Sequence, residues 1–226
     1  AVSFVEGGYS GYKLHSAVPG ATDDPADQTV DTVREVRSAV GDDIEILVDV
    51  NGAFSTHHAL EIGKKLQDLG VFHFEEPRPH YDLDGLAEVA DGLEMPVASG
   101  ENIFNHWQYR DLITRGRVDI IQPDIVKTGG FTEFRRIAAL ASAFNKPITV
   151  HNIQPTVSAV AHLHACAAFQ NIPYSQEYNI EPISIRDESP ILKDPLVVKD
   201  GYLKVPDGPG LGIELDESMI ERLRGA

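Results

Sequence analysis

The stretch Ile46-Leu47-Val48-Asp49 is a short apolar run that ends in a carboxylate. The same pattern returns in Val71-Phe72-His73-Phe74-Glu75 and in Pro96-Val97-Ala98-Ser99-Gly100-Glu101. The acids are evenly spaced, since 75 − 49 = 26 and 101 − 75 = 26. A repeat of about that length fits one strand, one helix and two short loops. The pattern therefore predicts neighbouring parallel strands that carry Asp49, Glu75 and Glu101 at the same end.

Apolar strands alternate with amphipathic helices along most of the chain. Strands are predicted at residues 11–15, 45–50, 71–74, 96–101, 118–122, 147–150 and 174–176. Helices are predicted between them at residues 29–40, 55–69, 83–93, 107–115, 131–144 and 158–170. Such alternation indicates a parallel sheet covered on both faces. Ionisable residues at successive strand ends favour a (β/α)8-type, TIM-like barrel over an open doubly wound sheet. No Gly-x-Gly-x-x-Gly follows a strand, which gives a dinucleotide-binding fold little support.

The chain divides into two predicted parts. Residues 1–190 form the barrel, with strands two to eight of the eight expected, so the first strand is missing. Residues 191–226 complete the barrel with a hairpin that turns at Asp200-Gly201 and a closing helix at residues 218–223.

The composition and charge of the chain argue against several classes of binding partner. The chain has 226 residues and a formal net charge of −16, which argues against nucleic acid or an anionic membrane as partner. Its single cysteine, Cys166, allows no internal disulfide and suits a reducing compartment. No apolar stretch approaches the roughly 20 residues of a membrane span, and no signal peptide opens the chain. We therefore expect a cytoplasmic protein with neither nucleic acid nor a membrane as partner.

Chemically active side chains stand at every predicted strand end. They are Lys13 and His15, Asp49 and Asn51, Glu75 and Glu76, Glu101, Asp124, His151, and Glu177. In barrel enzymes the active site is built from these ends. Three converging carboxylates are hard oxygen ligands, so Asp49, Glu75 and Glu101 are predicted to bind Mg²⁺.

Several motifs together resemble the enolase superfamily, and within it the mandelate racemase subgroup. They are Asp49-x-Asn51, Phe74-Glu75-Glu76-Pro77, Ser99-Gly100-Glu101, Gln122-Pro123-Asp124, Lys127-Thr128-Gly129-Gly130, Val150-His151-Asn152 and the tail from Asp200-Gly201-Tyr202 to Gly212. The resemblance covers essentially the whole chain.

The resemblance implies abstraction of the proton α to a carboxylate, with a metal-stabilised enediolate. It implies Asp49, Glu75 and Glu101 as the ligands of Mg²⁺, and His151 as a base oriented by Asp124. Relatives of the muconate-lactonizing and dipeptide-epimerase type carry a lysine in place of Asp124, so this aspartate favours the acid-sugar branch. By the same resemblance, Lys13 and Glu177 bind the substrate carboxylate.

One position departs from the subgroup. The racemase pattern is Lys-x-Lys, whereas this chain has Lys13-Leu14-His15. The loss of the second lysine puts two-base racemisation in doubt and favours a carbon–oxygen lyase, an aldonate or aldarate dehydratase. His15 would then act as an acid or only bind substrate. A racemase or epimerase of a 2-hydroxy acid, and a non-catalytic binding or regulatory barrel, are the alternatives.

Other polar residues have more than one interpretation. Asn51 and Asn102 either contact substrate hydroxyls or shape loops. Glu76 and Lys127 are interpreted as structural, and His162 and His164 as packing residues. We also expect a homo-oligomer, and an N-terminal capping domain that these residues lack. Residues 1–226 alone are predicted to be inactive.

Overall fold

The computed structural model describes residues 1–17, 21–188 and 190–224. A parallel sheet forms its centre, with strands in the sequential order β1 to β5. The strands are β1 (Gly11–His15), β2 (Glu45–Asp49), β3 (Val71–Glu75), β4 (Val97–Ser99) and β5 (Ile120–Ile121). Each pairs in parallel with the next. This is the strand arrangement that the repeat predicts.

Helices follow the strands along the chain. The main ones are α2 (Thr29–Val40), α3 (Thr56–Asp68), α4 (Leu83–Gly92), α5 (His106–Asp111), α6 (Phe131–Ala143) and α7 (Val157–Ala168). Two further helices are short, α1 (Val2–Glu6) and α8 (Ser184–Asp187). A π-helical turn (Leu112–Gly116) continues α5. The last helix is α9 (Glu217–Arg224). Ser55 caps α3 by accepting from the amide of His58, because its hydroxyl satisfies an orphan N–H of the first turn.

The core lies between sheet and helices. Val33 of α2, Leu66 of α3 and Phe134 of α6 are fully buried, as are Ile46 and Phe74 on the strands. Apolar residues at helical spacing explain this, since each helix turns one apolar stripe toward the sheet. None of the described helices has the length and apolar composition that a membrane crossing requires.

The last two predicted strands do not form ladders in the described residues. The segment 147–150 makes one bridge, Ile121 to Ile148, and residues 174–176 make no strand. Pro147 offers no N–H, and the amide of Val150 is taken by the side-chain oxygen of Gln176 at 2.8 Å. The prediction of seven regular strands was therefore wrong for these two segments.

The C-terminal segment forms small antiparallel contacts. Lys199 and Tyr202 exchange backbone hydrogen bonds around Asp200-Gly201, both with positive φ, as a two-residue hairpin requires. The predicted hairpin turn is thus confirmed, and α9 includes the closing helix predicted at residues 218–223.

Candidate active site

Three buried carboxylates meet at the C-terminal end of the sheet. Asp49 and Glu75 are fully buried and Glu101 is nearly so. The register pairs His15 with Asp49 and Asp49 with Glu75, so these side chains leave adjacent strands at the same level. Asp49, Glu75 and Glu101 each offer one oxygen, and these oxygens lie within 4.8 Å of one another. The predicted convergence is therefore present.

Local backbone geometry places two of these acids. Gly100 has a φ of +135°, and a Cβ there would lie 3.0 Å from the Tyr109 ring. The hydroxyl of Tyr109 donates to the Gly100 carbonyl at 2.7 Å, which fixes the turn that carries Glu101. Asn51, also at positive φ, donates from its backbone to Asp49 Oδ1 at 2.8 Å and from its side chain to Oδ2 at 3.3 Å. Asn51 thus orients a carboxylate of the triad.

Lys13 is the cation of the site. Its Nζ lies 2.8 Å from Glu75 Oε1, 3.0 Å from Glu177 Oε1 and 3.4 Å from Asp49 Oδ2. Burial would lower the pKa of Lys13, but these three carboxylates outweigh it and raise the pKa well above its usual value. The ammonium group therefore stays charged.

Asp49 and Glu75, the two triad carboxylates that contact Lys13, have pKa values shifted in opposite directions. Burial and the charge of Glu75 raise the pKa of Asp49 well above its usual value. Burial would also raise the pKa of Glu75, but the shorter contact with Lys13 and the neighbouring His73 hold it below its usual value. The charge of Asp49 is thus the less well compensated of the two.

The carboxylate oxygens of Asp49, Glu75 and Glu101 are suited to bind a hard dication. Glu75 Oε2 and Glu101 Oε2 are buried and have no hydrogen-bond partner among the described residues. Buried anionic oxygens of this kind are costly unless they are paired or bind a metal. Carboxylate oxygens are the ligands that Mg²⁺ takes, so Asp49, Glu75 and Glu101 together are suited to hold it.

His151 and Asp124 form a buried pair beside the triad. His151 Nδ1 lies 2.9 Å from Asp124 Oδ2, and His151 Nε2 lies 3.3 Å from Glu101 Oε2. Burial would raise the pKa of Asp124, but the hydrogen bond from His151 Nδ1 outweighs it and holds this pKa well below its usual value. An ionised Asp124 places the imidazole proton on Nδ1, so the Nε2 lone pair faces the carboxylates.

His15 and Glu177 lie around the same cluster. His15 Nε2 is 3.5 Å from Asp49 Oδ2, and its side chain is half exposed. Glu177 contacts Lys13 through Oε1 and accepts the amide of Asn152 at 2.6 Å through Oε2. All the strand-end residues predicted from the sequence are therefore brought together.

Glu76, interpreted from the sequence as structural, is a further carboxylate next to the triad. Glu76 lies just beyond β3 with a φ of +41°, so strand alternation no longer decides where its side chain points. The Asn102 amide reaches both oxygens of Glu76, at 3.1 and 3.2 Å, and Glu101 Oε1 at 3.2 Å. Burial and the charge of Glu101 raise the pKa of Glu76 to about 8. Lys127 Nζ lies 3.8 Å from Glu101 Oε1 on the same side.

The family can now be stated. The sequence model described as enolase C-terminal domain-like matches residues 1–219. The chain belongs to the enolase C-terminal domain-like family. This membership confirms the predicted resemblance and the TIM-like fold class.

Two relatives of stated activity are similar to this chain over most of its length. Arabinonate dehydratase of Saccharolobus solfataricus is 31% identical over 221 residues, which are 98% of this chain and 57% of the relative. D-galactarolactone cycloisomerase of Agrobacterium fabrum is 33% identical over 198 residues, 85% of this chain and 52% of the relative. The chain thus spans about half the length of these curated relatives.

A solved structure shows the same architecture. The mandelate racemase/muconate lactonizing protein of Paracoccus denitrificans, complexed with magnesium, superposes with a TM-score of 0.88 at 31% identity. The match covers 97% of this chain and 59% of that one.

Proposed function

We propose that the protein is a Mg²⁺-dependent acid-sugar dehydratase, a carbon–oxygen lyase that converts an aldonate or aldarate into a 2-keto-3-deoxy acid. One observation carries the proposal: the free Nε2 of His151 faces the carboxylate triad, 3.3 Å from Glu101 Oε2. A base so placed reaches the α carbon of a carboxylic acid whose carboxylate lies over the triad. Relatives named as dehydratases of arabinonate and D-gluconate support the substrate class.

In this proposal Asp49, Glu75 and Glu101 hold the metal. Mg²⁺, when bound, supplies the positive charge that offsets negative charge developing on the substrate carboxylate. Lys13 donates a hydrogen bond to the same carboxylate, and Glu177 fixes the Lys13 ammonium group. Asn51 keeps Asp49 in orientation through its two hydrogen bonds.

The proton steps involve His151 and one acid. His151 Nε2 takes the α proton, while Asp124 accepts a hydrogen bond from Nδ1 and stabilises the imidazolium. The β carbon–oxygen bond breaks, and the departing hydroxyl takes a proton and leaves as water. The enol product then gains a proton at the β carbon and becomes the 2-keto acid. The acid is either protonated His151, which gives syn elimination, or His15, which gives anti elimination.

His15 favours the anti course. It lies on β1 against Asp49, whereas His151 lies on the opposite side of the triad against Glu101. The two imidazoles therefore approach a bound substrate from different sides. His15→Asn distinguishes the two courses: it should keep exchange of the α proton but lose elimination of the hydroxyl if His15 is the acid, and keep both if protonated His151 is the acid.

A 2-hydroxy acid racemase or epimerase is the second candidate, because His15 also stands where an opposite-face base would act. Lys13 is a poor second base, since its three carboxylate neighbours keep its proton bound. Racemisation would exchange the α proton with solvent deuterium without loss of a hydroxyl.

The test uses the protein as its gene encodes it. A panel of mono- and diacid sugars with their lactones is incubated with the protein and Mg²⁺, and keto-acid formation is followed. We expect a 2-keto-3-deoxy acid from at least one of them, and none after chelation. A protein that binds no Mg²⁺ by calorimetry would instead be a non-catalytic barrel. Light scattering on the same sample tests the predicted homo-oligomer.

A further inference from the structure

His162 is fully buried on α7 and lies against the loop that carries Asp124. Its Nδ1 lies 2.9 Å from the carbonyl oxygen of Ser158, and its Nε2 accepts from the Ile125 amide at 3.0 Å. A carbonyl can only accept and an amide N–H can only donate, so Nδ1 carries the proton and Nε2 does not. His162 is therefore a neutral imidazole in the Nδ1–H tautomer.

Of the three backbone amides that follow Asp124, that of Ile125 donates to His162 and not to the Asp124 carboxylate. The next two amides, of Val126 and Lys127, point to Asp124 Oδ1 at 2.7 and 3.3 Å. Nε2 of His162 also lies 3.5 Å from Asp124 Oδ1, but it makes no hydrogen bond there because its lone pair takes the Ile125 N–H. The loop is thus held from two directions.

These contacts join the two halves of the dyad. Asp124 lies on the loop after β5, and α7 is the helix that follows His151 along the chain. His162 ties this helix to that loop. We propose that His162 is a positioning residue, which fixes the backbone after Asp124 so that Oδ2 faces His151 Nδ1. What the dyad does in turnover rests on the proposed function; the placement itself does not.

Loss of the acceptor has a defined consequence. Without Nε2, the buried Ile125 N–H has no partner, and an unpaired buried donor disfavours this arrangement of the loop. The loop can recover a partner only by turning, and that turn moves Asp124. The hydrogen bond from Nδ1 matters less, because the Ser158 carbonyl lies within α7, where the helix backbone can satisfy it.

Two conservative substitutions separate these bonds. His162→Gln places an amide oxygen near the position of Nε2, so the Ile125 acceptor is kept. His162→Asn has a shorter side chain, whose amide reaches only the position of Nδ1, so the acceptor for the Ile125 N–H is lost. His164→Asn on the same helix is the control, since the half-buried His164 contacts the Leu211 carbonyl at 3.0 Å and lies away from the dyad.

The first measurement needs no substrate. Nitrogen-15 spectra of the imidazoles, recorded on the protein with Mg²⁺ alone, report each tautomer. We expect His162 as the Nδ1–H tautomer, and a hydrogen-bonded Nδ1–H signal for His151. That His151 signal should persist in His162→Gln and His164→Asn and weaken or disappear in His162→Asn. Its persistence in His162→Asn, or an Nε2–H tautomer at His162, would overturn the proposal.

The second measurement is kinetic, with whichever sugar acid the panel identifies. His162→Asn should lower kcat about 10–100-fold with KM and Mg²⁺ affinity within about twofold, the scale typical of outer-shell partners. His162→Gln should recover most of the rate. A larger isotope effect on the α proton in His162→Asn would place the defect in proton abstraction. Equal losses in both variants, or a parallel loss of Mg²⁺ binding, would mean a structural role only. If no sugar acid is turned over, the proposed function fails while the spectra still decide the role of His162.

Discussion

The Nζ of Lys13 lies 3.0 Å from Glu177 Oε1, which joins the first strand of the sheet to the segment that follows α7. The same nitrogen contacts Glu75 and Asp49. One buried cation therefore compensates carboxylates from three separate parts of the chain. The site is held together by charge before any substrate arrives.

Removing this cation should destabilise the metal-free protein. Lys13→Met leaves buried carboxylates without their counter-ion, a change that typically costs about 3–5 kcal/mol. Saturating Mg²⁺ should restore part of the loss, because the metal supplies positive charge to the same oxygens. Urea unfolding with chelator and with Mg²⁺ measures both quantities.

A surface lysine provides the matched control. Lys65 pairs with Glu61 at 2.8 Å, but both side chains are half exposed. Lys65→Met should therefore change the free energy of unfolding by less than about 0.5 kcal/mol. A metal-free Lys13→Met protein as stable as this control would contradict the compensating role of Lys13.

Acid stability should depend on Glu133 at the start of α6. Its carboxylate accepts from the backbone and the ring of His106, at 2.8 and 2.5 Å, and from Arg136. The backbone hydrogen bond from His106, then the one from its ring, lowers the pKa of Glu133 from 4.5 to about 2. Because the folded pKa is depressed, the stabilisation is complete above about pH 4.5 and is lost as the pH falls toward 2.

Glu133→Gln isolates that charge. At pH 7 we expect it to be less stable than wild type by about 1 kcal/mol, a value reduced for solvent screening. The difference should shrink between pH 4.5 and pH 3 in urea titrations. A difference that stays constant from pH 7 to pH 3 would show that the ionisation of Glu133 contributes nothing.

The sequence predicts the first five strands well because their signal is local. An apolar run that ends in Asp49 or Glu75 needs only its own residues to be recognised, and the 26-residue interval fixes the level of each acid. The register of His15 with Asp49 and of Asp49 with Glu75 then follows from parallel pairing. The convergence at the strand ends is thus predictable.

The contacts that are not predictable depend on tertiary geometry. Gln176 takes the amide of Val150 with its side chain, which no strand propensity indicates. The pairing of Asn102 with Glu76 depends on a positive φ at Glu76. His162 shows only helical spacing in the sequence, since its partner Ile125 lies on a distant loop.

Neutralising Asp49 should separate metal binding from folding. Its pKa is raised by burial and by Glu75, so its charge opposes folding of the metal-free protein. The amide oxygen of Asn can still accept from the Asn51 backbone. Asp49→Asn should therefore be as stable as wild type without metal, or more stable by up to about 1 kcal/mol.

The same variant should lose its response to Mg²⁺. At about 100 times the dissociation constant, Mg²⁺ should stabilise the wild type by about 2.7 kcal/mol. Asp49→Asn should gain less than about 0.5 kcal/mol at that concentration, because one ligand charge is absent. Thermal unfolding with Mg²⁺ and with chelator gives both numbers. Equal metal-dependent stabilisation of the two proteins would exclude Asp49 as a ligand.

Asp124→Asn should block proton abstraction by changing a tautomer. The backbone amides of Val126 and Lys127 anchor Oδ1, so the new NH₂ group must face His151 Nδ1. That donor requires an unprotonated Nδ1 and moves the imidazole proton to Nε2, where no lone pair remains to act as base. Exchange of the substrate α proton in deuterium oxide should fall by about 10³-fold or more, with Mg²⁺ affinity unchanged. Asp91→Asn, which removes an exposed partner of Arg117, should leave the exchange rate unaltered. Wild-type exchange in Asp124→Asn would show that His151 does not depend on this carboxylate.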